Sequence, residues 1–271
     1  MPTRAAGKPA PGAERNATPN VRTMILAAGR GERMRPLTDQ CPKPLLEVGG
    51  KPLIEWHLEA LAAAGFREVV VNHAHLGRMI EQALGDGSRW GLRLSYSAEQ
   101  QALETAGGIA RALPRLGPEP FLVVNGDVFC DYPFARAREI GQRILDESLL
   151  AWTVLVPNPP HNPDGDFALT GDRLAGEPMG TDPAAGESRA DVPAAGDPAA
   201  GKSAKRLTFS GIGVYTPALF AGLDGNAPAK LAPLLRAAAS RRQVGAERHD
   251  GRWTDVGTPQ RLAELDAQLR A

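Results

Sequence analysis

The sequence predicts an α/β protein with a doubly wound, mostly parallel sheet and helices on both faces. Two observations support this prediction. Short apolar runs alternate four times with segments of helical periodicity between residues 24 and 125, which is typical of parallel βαβ units. The first strand, at 24–28, runs directly into a loop that holds Gly29, Gly31 and several arginines. In sheets of this kind ligands bind at the carboxyl ends of the strands, so we expect the functional site beside this loop.

Hydrophobic periodicity and the residues that end each segment place the individual elements. Short apolar or β-branched runs predict strands at 24–28, 68–72, 92–97, 121–125, 149–156 and 207–215. Apolar residues at three- and four-residue spacing predict helices at 51–64, 76–84, 105–113, 134–147, 229–240 and from Pro259 onward. Pro114 is expected to break the third helix. Residues 244–253 are expected to form a short strand pair.

Two segments differ in composition from the rest. Residues 1–20 are rich in Pro, Gly, Ala and Asn, and we predict a disordered tail there. The segment at about 174–205 repeats Pro-Ala-Ala-Gly three times and nearly lacks large apolar residues, which predicts a low-complexity insertion in a loop. Residues 21–271 are then expected to form a single domain around that insertion.

Composition excludes some classes of function. The chain of 271 residues has a formal net charge of zero, which argues against a nucleic-acid partner. It has no apolar run long enough to predict a transmembrane helix, and its first residues lack the apolar core of a secretory signal. The two cysteines, Cys41 and Cys130, fit a reduced, cytoplasmic protein.

The glycine-rich loop predicts a phosphate-binding site, but it matches neither the dinucleotide-binding fingerprint nor the P-loop. The third glycine of the dinucleotide fingerprint is missing after Gly31, and no Gly-Lys-Ser or Gly-Lys-Thr ending is present. Glycines beside Arg33 and Lys43 nevertheless allow backbone N–H groups and cations to approach phosphate closely. For Arg30 a solvated surface charge is the favoured interpretation.

Residues 26–38 and 42–45 resemble the signature of the sugar-1-phosphate nucleotidyltransferases: Leu-Ala-Ala-Gly-x-Gly-x-Arg-Met-x-Pro-Leu-Thr followed by Pro-Lys-Pro-Leu. The resemblance implies the Rossmann-like nucleotide-diphospho-sugar transferase fold. It also implies that Arg33 and Lys43 are catalytic and contact the triphosphate. The nucleotide-binding positions that it implies are Ala27, Ala28, Gly29, Gly31, Lys43, Glu99, Gly107 and Asn125.

The same resemblance implies a Mg²⁺ site. Asp127 follows a buried strand, and Asp255 lies in Trp-Thr-Asp-Val-Gly-Thr-Pro, so both match metal-binding motifs of the family. Without that context, an Asp after a strand is more often a turn or cap residue. Asp131 and Asp250 are lower-ranked alternatives.

Sugar recognition is expected in the second half of the chain, where the resemblance implies Asn158, Asp166 and Gly211. Glu104 stands where related enzymes carry glycine; contact with the base or ribose and a solvated loop charge are equally open. Many relatives carry a Glu-Lys-Pro segment whose lysine binds the sugar phosphate, and this segment is absent here. Lys205 and Lys230 are the possible substitutes.

The implied activity joins a sugar 1-phosphate to a nucleoside triphosphate and releases pyrophosphate. The sequence most resembles the bacterial N-acetylmuramate-1-phosphate uridylyltransferases of cell-wall recycling, so UTP and N-acetylmuramate 1-phosphate are the expected partners. A mannose-1-phosphate guanylyltransferase and an inactive nucleotide-sensing or scaffolding homologue are the alternatives. We expect a monomer or small homo-oligomer.

Overall fold

The computed structural model describes residues 21–176 and 206–271. The predicted tail and most of the predicted insertion lie outside these residues. The helices are α1 Leu37–Gln40, α2 Leu53–Ala63, α3 Gly77–Leu84, α4 Glu104–Leu116, α5 Arg136–Asp146, α6 Leu231–Ser240 and α7 Pro259–Arg270. The strands are β1 Thr23–Leu26, β2 Glu47–Val48, β3 Lys51–Pro52, β4 Glu68–His73, β5 Arg93–Ala98, β6 Phe121–Asn125, β7 Val128–Cys130, β8 Ala151–Val156, β9 Phe167–Thr170, β10 Arg173–Leu174, β11 Arg206–Tyr215, β12 Val244–Arg248 and β13 Trp253–Asp255.

The main sheet has nine described strands in the order β5-β4-β1-β6-β11-β8-β12-β10-β9. The first four are parallel, as predicted. From β6 onward the sheet is mixed, because β11 runs antiparallel to both β6 and β8, and β8 and β12 are again parallel. The predicted α/β fold class is therefore confirmed, and the parallel arrangement holds mainly for its first half.

Successive strand residues pack against helices on opposite faces of the sheet. On β1, Ile25 joins the cluster that contains the apolar side chains of α2, α3 and α5. Its neighbour Met24 joins the cluster formed with α4 and α6. This alternation follows from the two-residue period of a strand, and it buries both faces of the central strands. A third, smaller cluster packs α7 against α2 through Leu265 and Leu53.

Three local predictions are corrected by the structure. Helix α4 continues through Pro114 to Leu116, because Pro114 lies in its last turn and Leu116 is buried in the core. Strand β12 does not pair with β13; it adds to the main sheet beside β8, and β13 pairs with β7. The insertion cannot begin at 174, since Leu174 pairs with Leu169 and is buried.

No helix within the described residues is both long and apolar enough to cross a membrane. Both cysteines are free thiols, and burial raises the pKa of Cys130 to about 11.

Candidate active site

The carboxyl ends of three parallel strands form the floor of a cleft. The register of the sheet places Leu26 of β1 level with Asn72 of β4 and Asn125 of β6. The glycine loop leaves β1 directly above this edge. It encloses a cavity of about 340 Å³, here called the first cavity. Its polar and loop lining residues are Ala27, Ala28, Gly29, Lys43, Asn72, Glu99, Glu104, Thr105, Asn125 and Asp127.

A buried hydrogen-bond network fixes the floor of the first cavity. The Ala27 amide donates to Asn72 Oδ1 at 2.8 Å, and Asn72 Nδ2 donates to Glu99 Oε1 at 2.7 Å. The other carboxylate oxygen of Glu99 accepts from the Leu103 amide at 2.9 Å. A Cβ atom at Gly108 would lie 2.7 Å from Glu99 Oε1, so this position requires glycine. The network ties the glycine loop to β4 and to the start of α4, which prepares the cavity before any ligand enters.

The glycine loop folds back on itself beyond Gly29. Gly31 has a φ of 68°, and its carbonyl accepts from Thr38 Oγ1 at 2.8 Å. A Cβ atom there would lie 2.9 Å from Thr38 Cγ2. Gly31 therefore shapes the loop and is not among the residues that line the first cavity. Arg30 donates to the Thr38 carbonyl and also contacts His75, so it helps to close the loop.

Lys43 and Asp127 form an ion pair at the mouth of the first cavity. Lys43 Nζ lies 2.6 Å from Asp127 Oδ2. Only 8% of the lysine side chain is exposed, whereas 37% of the aspartate is. A cation that is held so close to a cleft can transfer its interaction from the carboxylate to a phosphate oxygen.

The two predicted metal ligands lie at one end of a pair of short antiparallel strands, where Asp127 immediately precedes β7 and Asp255 ends β13. Asp255 of β13 faces Val128 of β7, and the Val256 amide donates to the Asp127 carbonyl at 2.9 Å. Both aspartates line a second cavity of about 300 Å³. This second cavity shares Asn125 and Asp127 with the first. Asp255 Oδ2 pairs with Arg261 Nη1 at 2.9 Å and lies 3.3 Å from His161 Nε2.

A buried histidine supports β7 from beneath. His57 of α2 is 2% exposed, and its Nε2 lies 2.7 Å from the Val128 carbonyl oxygen. Burial lowers the pKa of His57 to about 4, so the ring is neutral at pH 7. A neutral ring whose Nε2 faces a carbonyl must carry its proton on that nitrogen, and His57 therefore donates to β7.

These residues fit a divalent cation. Two carboxylates face one cavity, and oxygen ligands are what hard cations such as Mg²⁺ prefer. A Cβ atom at Gly257 would lie 3.0 Å from Asp255 Oδ1 and 3.1 Å from Arg33 Nη2, so the glycine leaves this corner open. The described residues contain no group of three or more His, Cys, Asp or Glu arranged around one point. Substrate phosphates and water would therefore have to complete the coordination.

The alternative metal ligands are engaged elsewhere. Asp131 accepts from His249 at 2.8 Å, and Asp250 pairs with Arg248. Neither aspartate lines the first or the second cavity.

The predicted sugar-binding residues divide into two groups. Asp166 and Gly211 line the second cavity together with Arg33. Asp166 Oδ2 accepts from the Phe209 amide at 2.8 Å. Asn158 does not line either cavity; it lies behind the wall, where its Nδ2 donates to the Pro163 and Arg206 carbonyls.

The structure does not bring Gly107 to the first cavity. Its amide donates to the Ala229 carbonyl at 3.2 Å, and a Cβ atom there would lie 2.5 Å from the Ala227 carbonyl oxygen. Gly107 instead allows α4 to pack closely against residues 227–229.

Sequence reasoning missed Asn72, Thr105, His161 and Arg261 as site residues. For Asn72 a signal was available: it ends a buried strand parallel to β1, so its side chain lies at the same edge of the sheet. His161 and Arg261 carried no such signal, because an irregular loop and the first turn of α7 bring them to Asp255.

Comparison with known proteins agrees with this geometry. Residues 22–161 match the family described as "Nucleotidyl transferase". Over 248 residues the chain is 51% identical to the N-acetylmuramate alpha-1-phosphate uridylyltransferase of Neisseria meningitidis serogroup B, a match that covers 91% of this chain and 97% of that protein. Over 117 residues it is 40% identical to the mannose-1-phosphate guanylyltransferase catalytic subunit beta of Danio rerio, covering 42% of this chain and 32% of that protein.

Among solved structures, a putative glucose-1-phosphate thymidylyltransferase from Bacillus anthracis superposes with a TM-score of 0.71 at 18% identity, covering 92% of this chain and 95% of that chain. At this identity the likeness shows the fold alone. The family match and the relative of nearly equal length show more than the fold, and they confirm the predicted enzyme class. The chain therefore belongs to the sugar-1-phosphate nucleotidyltransferases.

Proposed function

We propose that this enzyme transfers the uridylyl group of UTP to N-acetylmuramate 1-phosphate, giving the UDP-sugar and pyrophosphate. The observation that carries this proposal is the 51% identity to an N-acetylmuramate alpha-1-phosphate uridylyltransferase, which extends over 91% of the chain and so includes the acceptor side of the cleft. Cell-wall recycling in the cytoplasm, where UTP is made, is the setting that this activity implies.

The first cavity is the proposed nucleotide site. The backbone of Ala27, Ala28 and Gly29 lines it, and the Ala27 amide is already held in place by Asn72. Backbone N–H groups at the end of a strand can hold phosphate oxygens without side-chain crowding. Glu99 lies at the base of the cavity, with one hydrogen-bond donor on each carboxylate oxygen, and is 6% exposed. We infer that it positions the base-binding wall.

Charge neutralisation is the proposed role of Lys43 and Arg33. Both substrates are polyanions, so their approach costs electrostatic energy that cations near the reacting phosphate offset. Lys43 lines the first cavity and Arg33 the second, so the two lie on either side of the junction that Asn125 and Asp127 share.

Enzymes of this family generally use a divalent cation, and we propose that Asp127 and Asp255 hold Mg²⁺ here. When bound, the ion supplies Lewis-acid stabilisation of charge on the phosphates. Lys43 and Arg261, which now neutralise the two aspartates, are close enough to turn to phosphate oxygens.

The proposed reaction is a single in-line displacement. A phosphate oxygen of the sugar 1-phosphate bonds to the α-phosphorus of UTP while the bond from that phosphorus to the bridging oxygen breaks, and pyrophosphate leaves with those electrons. No covalent bond to the protein forms. The arrangement of the two cavities supports this route, because they meet at one point and can present the two substrates from opposite sides.

A mannose-1-phosphate guanylyltransferase is the nearest alternative. The sequence similarity to such enzymes covers 42–49% of this chain. In each case it covers less than half of the length of the guanylyltransferase itself. The assignment of the second cavity to the acceptor sugar is therefore supported by the match to the uridylyltransferase, which covers nearly the whole chain. An inactive homologue is disfavoured because Arg33, Lys43, Asp127 and Asp255 are all present and all line the cleft.

A substrate panel tests the proposal. Pyrophosphate release is measured with Mg²⁺ for UTP, GTP and dTTP, each combined with N-acetylmuramate, N-acetylglucosamine and mannose 1-phosphates. We expect the highest kcat/KM for UTP with N-acetylmuramate 1-phosphate. Turnover with GTP and mannose 1-phosphate alone would replace this assignment, and UTP binding without turnover of any pair would favour the inactive homologue. Light scattering in the same buffer tests the expected monomer or small homo-oligomer.

A further inference from the structure

A third cavity opens where the first and second meet. It has a volume of about 250 Å³ and shares Asn125 with both of its neighbours. It also shares Glu104 and Thr105 with the first cavity and Phe209 with the second. A substituent of a sugar that is bound between the nucleotide and Asp166 can therefore reach it.

Most of the wall of this third cavity is apolar. Phe167, Leu231 and Leu235 are buried, at 4%, 6% and 1% exposure. Phe167 and Phe209 meet edge to face, with ring centroids 6.5 Å apart. A wall of this kind stabilises alkyl groups and excludes water.

The mouth of the third cavity carries one lysine. Lys230 precedes α6 directly, where the backbone is still extended, and its side chain is exposed. Within residues 21–176 and 206–271, no ion pair or hydrogen bond is found for its ammonium group. Lys230 differs in this respect from Lys43, which is paired with Asp127.

Two other charged side chains lie nearby. Glu104, at the start of α4, lines the same cavity from the side that faces the nucleotide. Arg236, on α6, has its guanidinium carbon 5.7 Å from the centroid of Phe167. A carboxylate in the cavity is repelled by Glu104 and so is directed toward Lys230, whereas hydroxyl groups can donate to Glu104.

We propose that Lys230 and the third cavity recognise a carboxylate-bearing substituent of the acceptor sugar. This inference rests on the proposed function and deepens it. N-acetylmuramate differs from N-acetylglucosamine by a lactyl ether, which has one methyl group and one carboxylate. The methyl group packs on Phe167 and Phe209, and the carboxylate pairs with Lys230. Lys230 is then a specificity-determining residue that acts on binding of the acceptor.

The test measures how much the negative charge of the lactyl carboxylate contributes to recognition of the acceptor. Wild type, Lys230→Met and Lys230→Arg are compared with N-acetylmuramate 1-phosphate and with its carboxamide, which has the same shape and no charge on the lactyl group. We expect wild type to prefer the acid by roughly two- to fivefold in kcat/KM, mainly through KM, since the ion pair of an exposed lysine accounts for a change of that size. In Lys230→Met this ratio should approach one, and Lys230→Arg should restore most of it.

Matched controls make the outcome decisive. Lys51→Met removes a lysine that pairs with Glu59 and lines none of the three cavities, and it should keep the wild-type ratio. Calorimetric binding of both ligands to Lys230→Met and Lys230→Gln covers the case in which turnover is too slow. An unchanged ratio in these variants overturns the role of Lys230. A wild type that uses other acceptors but not N-acetylmuramate 1-phosphate overturns the proposed function itself.

Discussion

The nucleotide side and the acceptor side of the cleft are built in different ways. On the nucleotide side, neighbouring parallel strands bring Ala27, Asn72 and Glu99 together in a buried network. On the acceptor side, an irregular loop and a helix bring His161 and Arg261 to Asp255, and these side chains are 38%, 17% and 20% exposed. The nucleotide side is held by internal hydrogen bonds, whereas the acceptor side is held by ion pairs that the proposed cation and substrate would replace.

This difference indicates where each substrate's specificity originates. A buried network cannot rearrange without leaving polar groups unpaired, so the nucleotide pocket tolerates few shapes. The ion pairs around Asp255 are partly open to water, so their charges are screened and they can exchange partners more easily than the buried network can. We therefore expect changes on the nucleotide side to affect folding and binding together, and changes on the acceptor side to have a smaller effect on folding.

The largest effect is expected at Asp127, which lines both the first and the second cavity. Asp127→Asn keeps the shape of the side chain, removes one proposed metal ligand and leaves Lys43 without its anionic partner. We expect kcat to fall by about 10²–10³-fold or more, measured as pyrophosphate release across a Mg²⁺ titration.

Asp131→Asn is the matched control for this variant. Asp131 follows the same strand, β7, but it pairs with His249 outside both cavities, so its variant should retain activity close to that of the wild type. A normal rate in Asp127→Asn at every Mg²⁺ concentration would remove Asp127 from the metal site.

A pair of asparagines compares the two sides directly. Asn72 is 2% exposed and links Ala27 to Glu99, whereas Asn158 is only half-buried and links Pro163 and Arg206 to Thr208. Asn72→Ala leaves a buried amide and a buried carboxylate with lost partners. We expect it to lower the free energy of unfolding by about 2–3 kcal/mol and to raise the KM for the nucleotide.

Asn158→Ala should cost about 1 kcal/mol, because water can reach the groups that it leaves unpaired. Urea denaturation of both variants measures the two costs under one set of conditions. Equal losses of stability would contradict the proposed difference between the two sides of the cleft.

The sequence predicts the glycine loop and the parallel strands around it because their residues are close together in the chain. Residues 26–45 are contiguous in the chain, and the four parallel strands around them, β5-β4-β1-β6, are joined by the three helices α2, α3 and α4, so these strands and helices show the periodicity of βαβ units. The pairing of β7 with β13 joins residues more than 120 positions apart through strands of three residues, which are too short to show a period. Asp127 and Asp255 were nevertheless predicted as a pair, because a family motif surrounds each of them, and both line the second cavity.

Other failures have the same origin in tertiary contacts. Pro114 does not end α4, since burial of Leu116 stabilises a further turn. Leu174 joins the sheet although it opens a stretch of low complexity, because one buried leucine and its partner Leu169 suffice for a short strand between β12 and β9. The contact of Gly107 with the base stays a prediction; what the structure adds is that this glycine allows α4 to pack closely against residues 227–229.

A smaller effect, dependent on pH, is expected at His57, which lines neither cavity but supports β7, the strand that follows Asp127. Its pKa is about 4 when folded and 6.5 when unfolded, so the unfolded chain binds more protons between these values. Stability is therefore lost as the pH falls below about 6.5. The loss that His57 causes at pH 5 is about 2 kcal/mol.

His57→Gln can still donate to the Val128 carbonyl but has no ionisable ring. Free energies of unfolding at pH 7, 6 and 5 should show a shallower decrease for this variant than for the wild type. Parallel curves would show that the buried ring does not contribute to the acid sensitivity of the fold.

The smallest expected effect separates backbone strain from side-chain chemistry at the junction of the cavities. Glu104 has a φ of 60°, and Arg242, in the turn after α6 and outside the cavities, has a φ of 58°. A left-handed backbone conformation costs a non-glycine residue about 1–2 kcal/mol. Substitution by glycine removes this strain, but it also increases the conformational entropy of the unfolded chain, which offsets part of the gain in stability. Glu104→Gly and Arg242→Gly should therefore each raise the free energy of unfolding by about 0.5–1 kcal/mol.

Thermal unfolding measures the gain in stability of both variants. Steady-state kinetics distinguishes the two sites: Arg242→Gly should keep the wild-type KM values. Glu104→Gly and Glu104→Ala, which keeps the strained backbone, should change the same KM by the same factor. Agreement of the two Glu104 variants in KM, together with a difference in stability, would show that the carboxylate serves the substrates and that the strained backbone is its cost. A stability gain at Arg242 with none at Glu104 would mean instead that contacts in the cleft already offset the strain there.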